Sequence, residues 1–142
     1  MPRKGKKVLL FGTFSGIHKG HINLFKQAKK YGTYLTVVVA RDRTVKKVKK
    51  KLPLQNEEER LRTLKKLRLI NEVKLGYKNN PYRIIKEIKP DVICLGYDQK
   101  AFTKDLKRQL VKMGLKIKIC RLKPYKPGKY HSSIIEKNYV SH

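Results

Sequence analysis

Residues 12–21 read GTFSGIHKGH and join the short apolar run of residues 8–11 to an amphipathic stretch. This order predicts a buried strand, a loop and the start of a helix. His18 and His21 are three residues apart, which places them on one face of a helical turn, and Gly20 between them lets a ligand approach the backbone closely. Because the start of a helix offers unpaired N–H groups and a partial positive charge, the stretch predicts a phosphate-binding site with two imidazoles directed at it.

The two histidines suit the transfer of a nucleotidyl group, in which a crowded phosphorus centre gains negative charge. Catalysis of such a transfer depends mostly on positioning and charge stabilisation, so His18 and His21 can donate hydrogen bonds to phosphate oxygens without being nucleophiles. A pair of structural histidines or a zinc pair is the alternative that an isolated His-x-x-His leaves open. The strand and the Gly-Thr-Phe sequence before the pair favour the catalytic interpretation.

Gly12, Thr13 and Phe14 form the turn out of the strand and, with Gly20, are candidate nucleotide-binding residues. Backbone N–H groups in this turn can face a phosphate, and the hydroxyl of Thr13 can donate to one. For Phe14 two interpretations stay open: the ring lines the site, or it only packs beneath the loop.

Strands alternate with helices along the rest of the chain. Apolar runs predict strands over residues 7–12, 34–40, 72–75, 91–96 and 115–120. Amphipathic stretches predict helices over residues 19–31, 56–67, 81–88 and 103–113. Asn56 and Thr103 are predicted N-caps, and residues 41–53 are predicted to form a basic loop. The alternation predicts an α/β fold: residues 1–142 form a single Rossmann-like, doubly wound domain, with a parallel sheet of about five strands flanked by helices.

The composition is strongly basic, with 37 lysine and arginine residues against 10 acidic residues and a formal net charge of +27. Such a charge favours anionic partners, which include nucleotides, phosphorylated metabolites and nucleic acids. No apolar stretch approaches the ~18–20 residues of a transmembrane helix, and the N-terminus does not resemble a signal peptide, so a cytoplasmic location is expected. Cys94 and Cys120 lie in apolar runs and are predicted to be buried, reduced thiols; a redox pair between them stays open.

Further candidate residues follow the second strand, because ligands of a doubly wound sheet bind beyond the carboxyl ends of its strands. Lys46 and Lys47 lie in the basic loop, where an ammonium group can neutralise a phosphate; a disordered basic loop is the alternative. Arg60 lies near the start of the next helix and either reaches a phosphate in the site or forms a surface ion pair with neighbouring glutamates.

Two more groups of candidates lie later in the chain. Gly96 and Asp98 follow the next strong strand, where an acid beside a glycine can bind a ribose hydroxyl or help to place Mg²⁺; a plain turn aspartate is the alternative. Ser132 and Ser133 are predicted to open a last short helix and to hold the leaving pyrophosphate, with simple helix capping as the alternative.

Three motifs resemble those of the cytidylyltransferase-like nucleotidyltransferases, and the resemblance covers nearly the whole chain. The matching stretches are residues 12–14 (GTF) with 18–21 (HKGH), residues 132–135 (SSII), and residues 58–60 (EER) of a Glu-Arg helix. Within the family, residues 39–47 (VARDRTVKK) and 95–99 (LGYDQ) look most like those of archaeal FAD synthases.

The resemblance implies the reaction ATP + FMN → FAD + pyrophosphate, assisted by a divalent metal that is expected to be Mg²⁺. The family pattern assigns His18 and His21 to the triphosphate, Lys46 or Lys47 to the acceptor phosphate, Asp98 to the nucleotide pocket, and Ser132 and Ser133 to the β- and γ-phosphates. No residue of this chain is assigned as a metal ligand, and a homodimer is expected because similar proteins commonly form one.

Ser15 departs from the family pattern, which usually has aspartate after Gly-Thr-Phe, and the missing carboxylate bears on acceptor binding or metal placement. Three alternatives stay open. They are a CTP-dependent glycerol-3-phosphate cytidylyltransferase, an adenylyltransferase for another phosphorylated acceptor and, from the net charge, a nucleic-acid-binding protein on this fold.

Overall fold

The computed structural model describes residues 6–50, 52–77, 80, 82–96 and 100–123, apart from the side chains of residues 47–49 and 100–103. The strands in this part of the chain are β1 (Lys7–Gly12), β2 (Tyr34–Val39), β3 (Glu72–Leu75), β4 (Val92–Leu95) and β5 (Lys118–Arg121). The helices are α1 (Lys19–Lys29), α2 (Asp42–Lys49), α3 (Glu57–Lys65), α4 (Arg83–Ile88) and α5 (Lys100–Met113). All strand pairs are parallel, and the sheet order is β3-β2-β1-β4-β5.

Apolar side chains cover both faces of the sheet, which explains why β1 and β2 read as continuous apolar runs. On one face, Leu10 packs in a cluster with Phe25 of α1 and Leu64 of α3. On the other face, its neighbour Leu9 packs in a second cluster with Leu106 of α5. The doubly wound α/β fold with about five parallel strands is therefore confirmed.

Most element boundaries lie within three residues of their predicted positions, and β1 and β3 match the predicted ranges 7–12 and 72–75. Asn56 is confirmed as an N-cap, since its side chain accepts a hydrogen bond from the backbone N–H of Glu59 at 2.8 Å. None of the helices in the described part of the chain is long and apolar enough to cross a membrane.

The prediction of a loop over residues 41–53 is wrong, because residues 42–49 form α2. Lysines surround Val45, which is 4% exposed and is buried by the helix, and so they conceal its apolar contact in the sequence. Asp42 lies in the first turn, where a negative charge interacts favourably with the helix dipole. Lys50 adopts a left-handed conformation with φ of 67° and ends the helix.

Thr103 is not an N-cap, because α5 begins three residues earlier at Lys100. The end of α5 is as predicted, since Gly114 follows it with φ of +68°. The predicted short helix at Ser132 lies outside the described residues.

Cys94 and Cys120 are register partners on the adjacent strands β4 and β5, and both are free thiols. Cys94 is buried as predicted, whereas Cys120 is only partly buried. Burial, and to a smaller extent the neighbouring Cys120, raises the pKa of Cys94 to about 12, so that its thiol stays protonated. A redox pair between the two thiols stays an open alternative.

Candidate active site

The residues that leave β1 and β2 lie next to each other at the carboxyl edge of the sheet. The backbone N–H of Ala40, directly after β2, donates to the carbonyl of Gly12 at 2.9 Å. The loop of residues 13–18 and the start of α2 therefore leave the sheet from adjacent positions. This edge is where a doubly wound fold binds its ligands.

His18 and His21 form a reciprocal capping box at the start of α1. The Nδ1 atom of His18 accepts from the backbone N–H of Gly20 at 3.0 Å, and the Nδ1 atom of His21 accepts from the backbone N–H of His18 at 3.2 Å. The two ring centroids are 3.9 Å apart, which confirms that both imidazoles lie on one turn. In a neutral imidazole one nitrogen accepts and the other donates, so both Nε2 atoms carry the proton.

The two imidazoles therefore present a pair of Nε2–H donors from the first turn of a helix. His21 is 2% exposed, and both Nε2 atoms are buried within the described structure. Donors held in a site that excludes water stabilise developing negative charge more effectively than donors in water. The arrangement can bind phosphate oxygens without any nucleophilic step by the protein.

Acidification is expected to weaken the histidine cap. Burial lowers the pKa of His18 below its ordinary value of 6.5, so the unfolded chain takes up a proton at a higher pH than the folded protein. His18 should therefore make its complete contribution to the free energy of unfolding above about pH 6.5. That contribution should decrease as the pH drops below this value. Thermal unfolding at several pH values checks this for the wild type and for His18→Asn, which keeps a cap acceptor but does not titrate. Equal losses of stability on acidification in the two proteins would contradict the expectation.

Gly20 and Gly12 make room for the rings that build the site. A Cβ atom on Gly20 would lie 2.7 Å from Cε1 of His18, and a Cβ atom on Gly12 would lie 2.4 Å from the Phe14 ring. Phe14 is 2% exposed and packs edge-on against His21 with ring centroids 5.6 Å apart. Of its two interpretations, packing beneath the loop is therefore the one that the structure supports.

Arg60 is fully buried and binds three separate segments of the chain. Its Nη1 atom donates to the carbonyl of Thr13 at 2.7 Å, its Nη2 atom to Oδ1 of Asp42 at 2.7 Å, and its Nε atom to the carbonyl of Gln55 at 3.1 Å. The surface ion pair is therefore wrong as an interpretation of this residue. Arg60 holds the phosphate-binding loop against the starts of α2 and α3, and its direct contact with a phosphate stays a prediction.

Asp42 and Glu57 cap each other's helices, a feature that the sequence prediction missed. The backbone N–H of Asp42 donates to Glu57 at 2.9 Å, and the backbone N–H of Glu57 donates to Asp42 at 3.1 Å. Arg41 adds an ion pair to Glu57 at 3.0 Å and a hydrogen bond to the carbonyl of Gly76 at 2.7 Å. The feature of the sequence that could have indicated this capping is the acidic residue at the start of each helix, Asp42 in α2 and Glu57 in α3.

Ser15 takes the position where the resembling family usually has aspartate, and it also binds the segment before α3. Its Oγ atom accepts from the backbone N–H of Gln55 at 3.1 Å. The Gln55 side chain in turn accepts from the backbone N–H of Gly16 at 3.0 Å. These two bonds and the Arg60 contact fix Gln55 against the loop that follows β1.

The structure describes only some of the remaining candidate residues. Lys46 is exposed on α2, and Gly96 is buried at the end of β4, where its carbonyl accepts from Arg121 at 2.8 Å. The Lys47 side chain, Asp98, Ser132 and Ser133 lie outside the described residues. The structure thus brings His18, His21, Gly12, Thr13, Phe14, Gly20 and Arg60 together around one loop.

No group of three or more His, Cys, Asp and Glu residues that could hold a metal occurs among the described residues. The Nδ1 atoms of both histidines accept backbone hydrogen bonds, and the Asp42 carboxylate binds Arg60 and the start of α3. None of these described groups is therefore assigned as a metal ligand.

Comparison with known proteins shows the family to which this chain belongs. The cytidylyltransferase-like family model matches residues 9–138. The FAD synthase of Pyrococcus horikoshii is 42% identical over 135 residues, which are 92% of this chain and 90% of the relative. The FAD synthase of Aciduliprofundum boonei is 40% identical over 119 residues, which are 84% of this chain and 79% of the relative.

A solved structure is similar in both sequence and fold. It is the lipopolysaccharide core biosynthesis protein of Thermoplasma volcanium, which superposes with a TM-score of 0.79 at 37% identity. The superposition covers 85% of this chain and 98% of that one. On its fold, its paired histidines and these similarities, the chain belongs to the cytidylyltransferase-like family and is a nucleotidyltransferase.

Proposed function

We propose that this protein transfers the AMP group of ATP to the phosphate of FMN, forming FAD and pyrophosphate. The observation that carries the proposal is the pair of Nε2–H donors that His18 and His21 present from the first turn of α1. The choice of ATP and FMN is supported by the FAD synthases that are similar to this chain over most of its length.

In this reaction an oxygen of the FMN phosphate attacks the α-phosphorus of ATP. The new P–O bond replaces the bond between the α-phosphorus and the bridging oxygen, and pyrophosphate leaves with that electron pair. His18 and His21 donate hydrogen bonds to the phosphate oxygens as negative charge develops on these oxygens. A divalent metal, expected to be Mg²⁺, supplies charge neutralisation when it is bound to the triphosphate.

Other residues of the chain orient the substrates in the same proposal. Gly12, Thr13, Phe14 and Gly20 shape the loop beneath the triphosphate, and Arg60 holds that loop in place. Lys46 and Lys47 on α2 neutralise the acceptor phosphate. Gly96 and Asp98 border the nucleotide, and Ser132 and Ser133 bind the pyrophosphate end.

Pyrophosphate release with Mg²⁺ tests the proposal when ATP and CTP are each combined with FMN and with glycerol 3-phosphate. We expect pyrophosphate release only from the combination of ATP with FMN, and not from the other three combinations. Release with CTP and glycerol 3-phosphate would instead make the protein a glycerol-3-phosphate cytidylyltransferase. No release in any combination would favour either an adenylyltransferase for another phosphorylated acceptor or a nucleic-acid-binding role of the basic surface.

Three further expectations do not depend on this assay. Non-specific binding of nucleic acid follows from the net charge of +27 and would weaken steeply with added salt. A homodimer and a cytoplasmic location also stay predictions.

A further inference from the structure

Two large apolar side chains are exposed in the connection between α2 and α3. Leu54 is 98% exposed and Leu52 is 58% exposed. The exposed large apolar residues of the described chain are Tyr34, Leu52, Leu54 and Val111. Half of them therefore lie within three consecutive residues. Two exposed apolar side chains this close together offer a ligand more adjacent apolar surface than one scattered residue does.

The segment that carries these leucines is held against the phosphate-binding loop. Gln55, the next residue after Leu54, bonds Ser15 at 3.1 Å and Gly16 at 3.0 Å, and its carbonyl accepts from the buried Arg60 at 3.1 Å. Gly16 precedes His18 by two residues. Leu54 therefore lies at the rim of the loop that leads to the paired histidines, because two backbone hydrogen bonds and one side-chain hydrogen bond hold the adjacent Gln55 there.

The chemistry of the proposed acceptor explains apolar surface at this rim. FMN carries a phosphate at one end and a large, flat aromatic ring system at the other. The donors around His18 suit the phosphate, but they offer nothing to the ring. Phe14, the aromatic residue of the loop, is 2% exposed and therefore gives the ring no surface. Leu52 and Leu54 provide apolar surface that an aromatic ring can cover, which removes both surfaces from water.

We propose that Leu54, together with Leu52, contacts the aromatic ring system of the acceptor and so determines acceptor specificity. This inference rests on the proposed function, because it takes FMN as the acceptor. It assigns the two ends of the acceptor to different parts of the site. The phosphate lies toward the histidines and α2, and the ring lies against the exposed leucines.

Flavin fluorescence during titration of the protein tests the proposal, with FMN and with riboflavin, which has the ring but no phosphate. Leu54→Ser should raise the Kd of both flavins about 10-fold, the effect of losing one apolar side chain from a contact. The KM for ATP should stay unchanged. Val111→Ser is the matched control, because Val111 is 81% exposed on α5 and should leave flavin binding unaltered.

The outcomes separate this inference from the proposed function. Wild-type affinity for FMN in Leu54→Ser would overturn the inference and leave the function standing, whereas absence of FMN binding to the wild type would overturn both. If Leu54→Ser instead converts a dimer to a monomer in sedimentation experiments and leaves flavin affinity unchanged, the leucines form an interface between copies and the inference is wrong.

Discussion

Replacing His18 or His21 with alanine is expected to lower kcat by about 10²–10³-fold, the usual effect of removing one transition-state donor. Each variant loses one of the two Nε2–H groups on the first turn of α1. The KM for ATP should change less than kcat, because the donors act most strongly on the charge that develops during transfer. Steady-state pyrophosphate release measures both constants.

The alanine variants also remove a helix cap, and a second substitution separates the two effects. His18→Asp keeps an oxygen that can accept from the backbone N–H of Gly20, and aspartate is among the best N-cap residues. It offers no donor and adds a negative charge beside the phosphates. We expect its melting temperature to stay close to that of the wild type while kcat falls at least as far as in His18→Ala. Near-wild-type turnover of His18→Asp would refute the role of the imidazole as donor.

Replacing Arg60 with methionine is expected to reduce the free energy of unfolding by about 3 kcal/mol, the low end of the cost of breaking a buried ion pair. We expect a loss of stability at the low end of this range because the Asp42 side chain keeps 27% of its surface exposed, so water can solvate its charge when Arg60 is removed. Methionine fills similar space, so the loss reports mainly the three hydrogen bonds to Thr13, Asp42 and Gln55. Guanidinium unfolding measures the difference.

Arg62 provides the matched control for this experiment, since it lies two residues further along α3 and is exposed. Arg62→Met should change stability by no more than about 0.5 kcal/mol, as is usual for surface substitutions. We also expect the Arg60 variant, but not the Arg62 variant, to lose turnover, because the loop before His18 loses its support. Equal stabilities of the two variants would contradict the structural role of Arg60.

The elements that could be predicted from the sequence are those whose residue pattern lies within one continuous stretch of the chain. The apolar run of β2 is rich in β-branched residues and that of β1 is followed by Gly12, which favours strands, and Asn56 followed by three glutamates is a familiar helix start. The turn that carries His18 and His21 was predicted from their spacing together with the apolar run and the Gly-Thr-Phe sequence before them. Its reciprocal capping was not, because histidine is not among the usual N-cap residues.

The missed features depend on contacts between distant segments. Residues 42–49 look like a solvated lysine run, and their helix is fixed partly by the exchange of hydrogen bonds between Asp42 and Glu57, 15 residues apart. Arg60 was expected at a phosphate or at the surface, because arginine is rarely buried unless it is paired. Its three acceptors come from three segments that only the folded chain brings together.

The capping box at the start of α1 has a consequence for how the protein matures after synthesis. Many enzymes fix the tautomer of a working histidine with a carboxylate or carbonyl supplied by another part of the fold. Here the backbone N–H groups of Gly20 and His18 hold both Nδ1 atoms as acceptors, so winding the first turn of one helix selects both tautomers at once. A transition metal that captured either Nδ1 atom in the nascent chain would therefore compete directly with the formation of that turn.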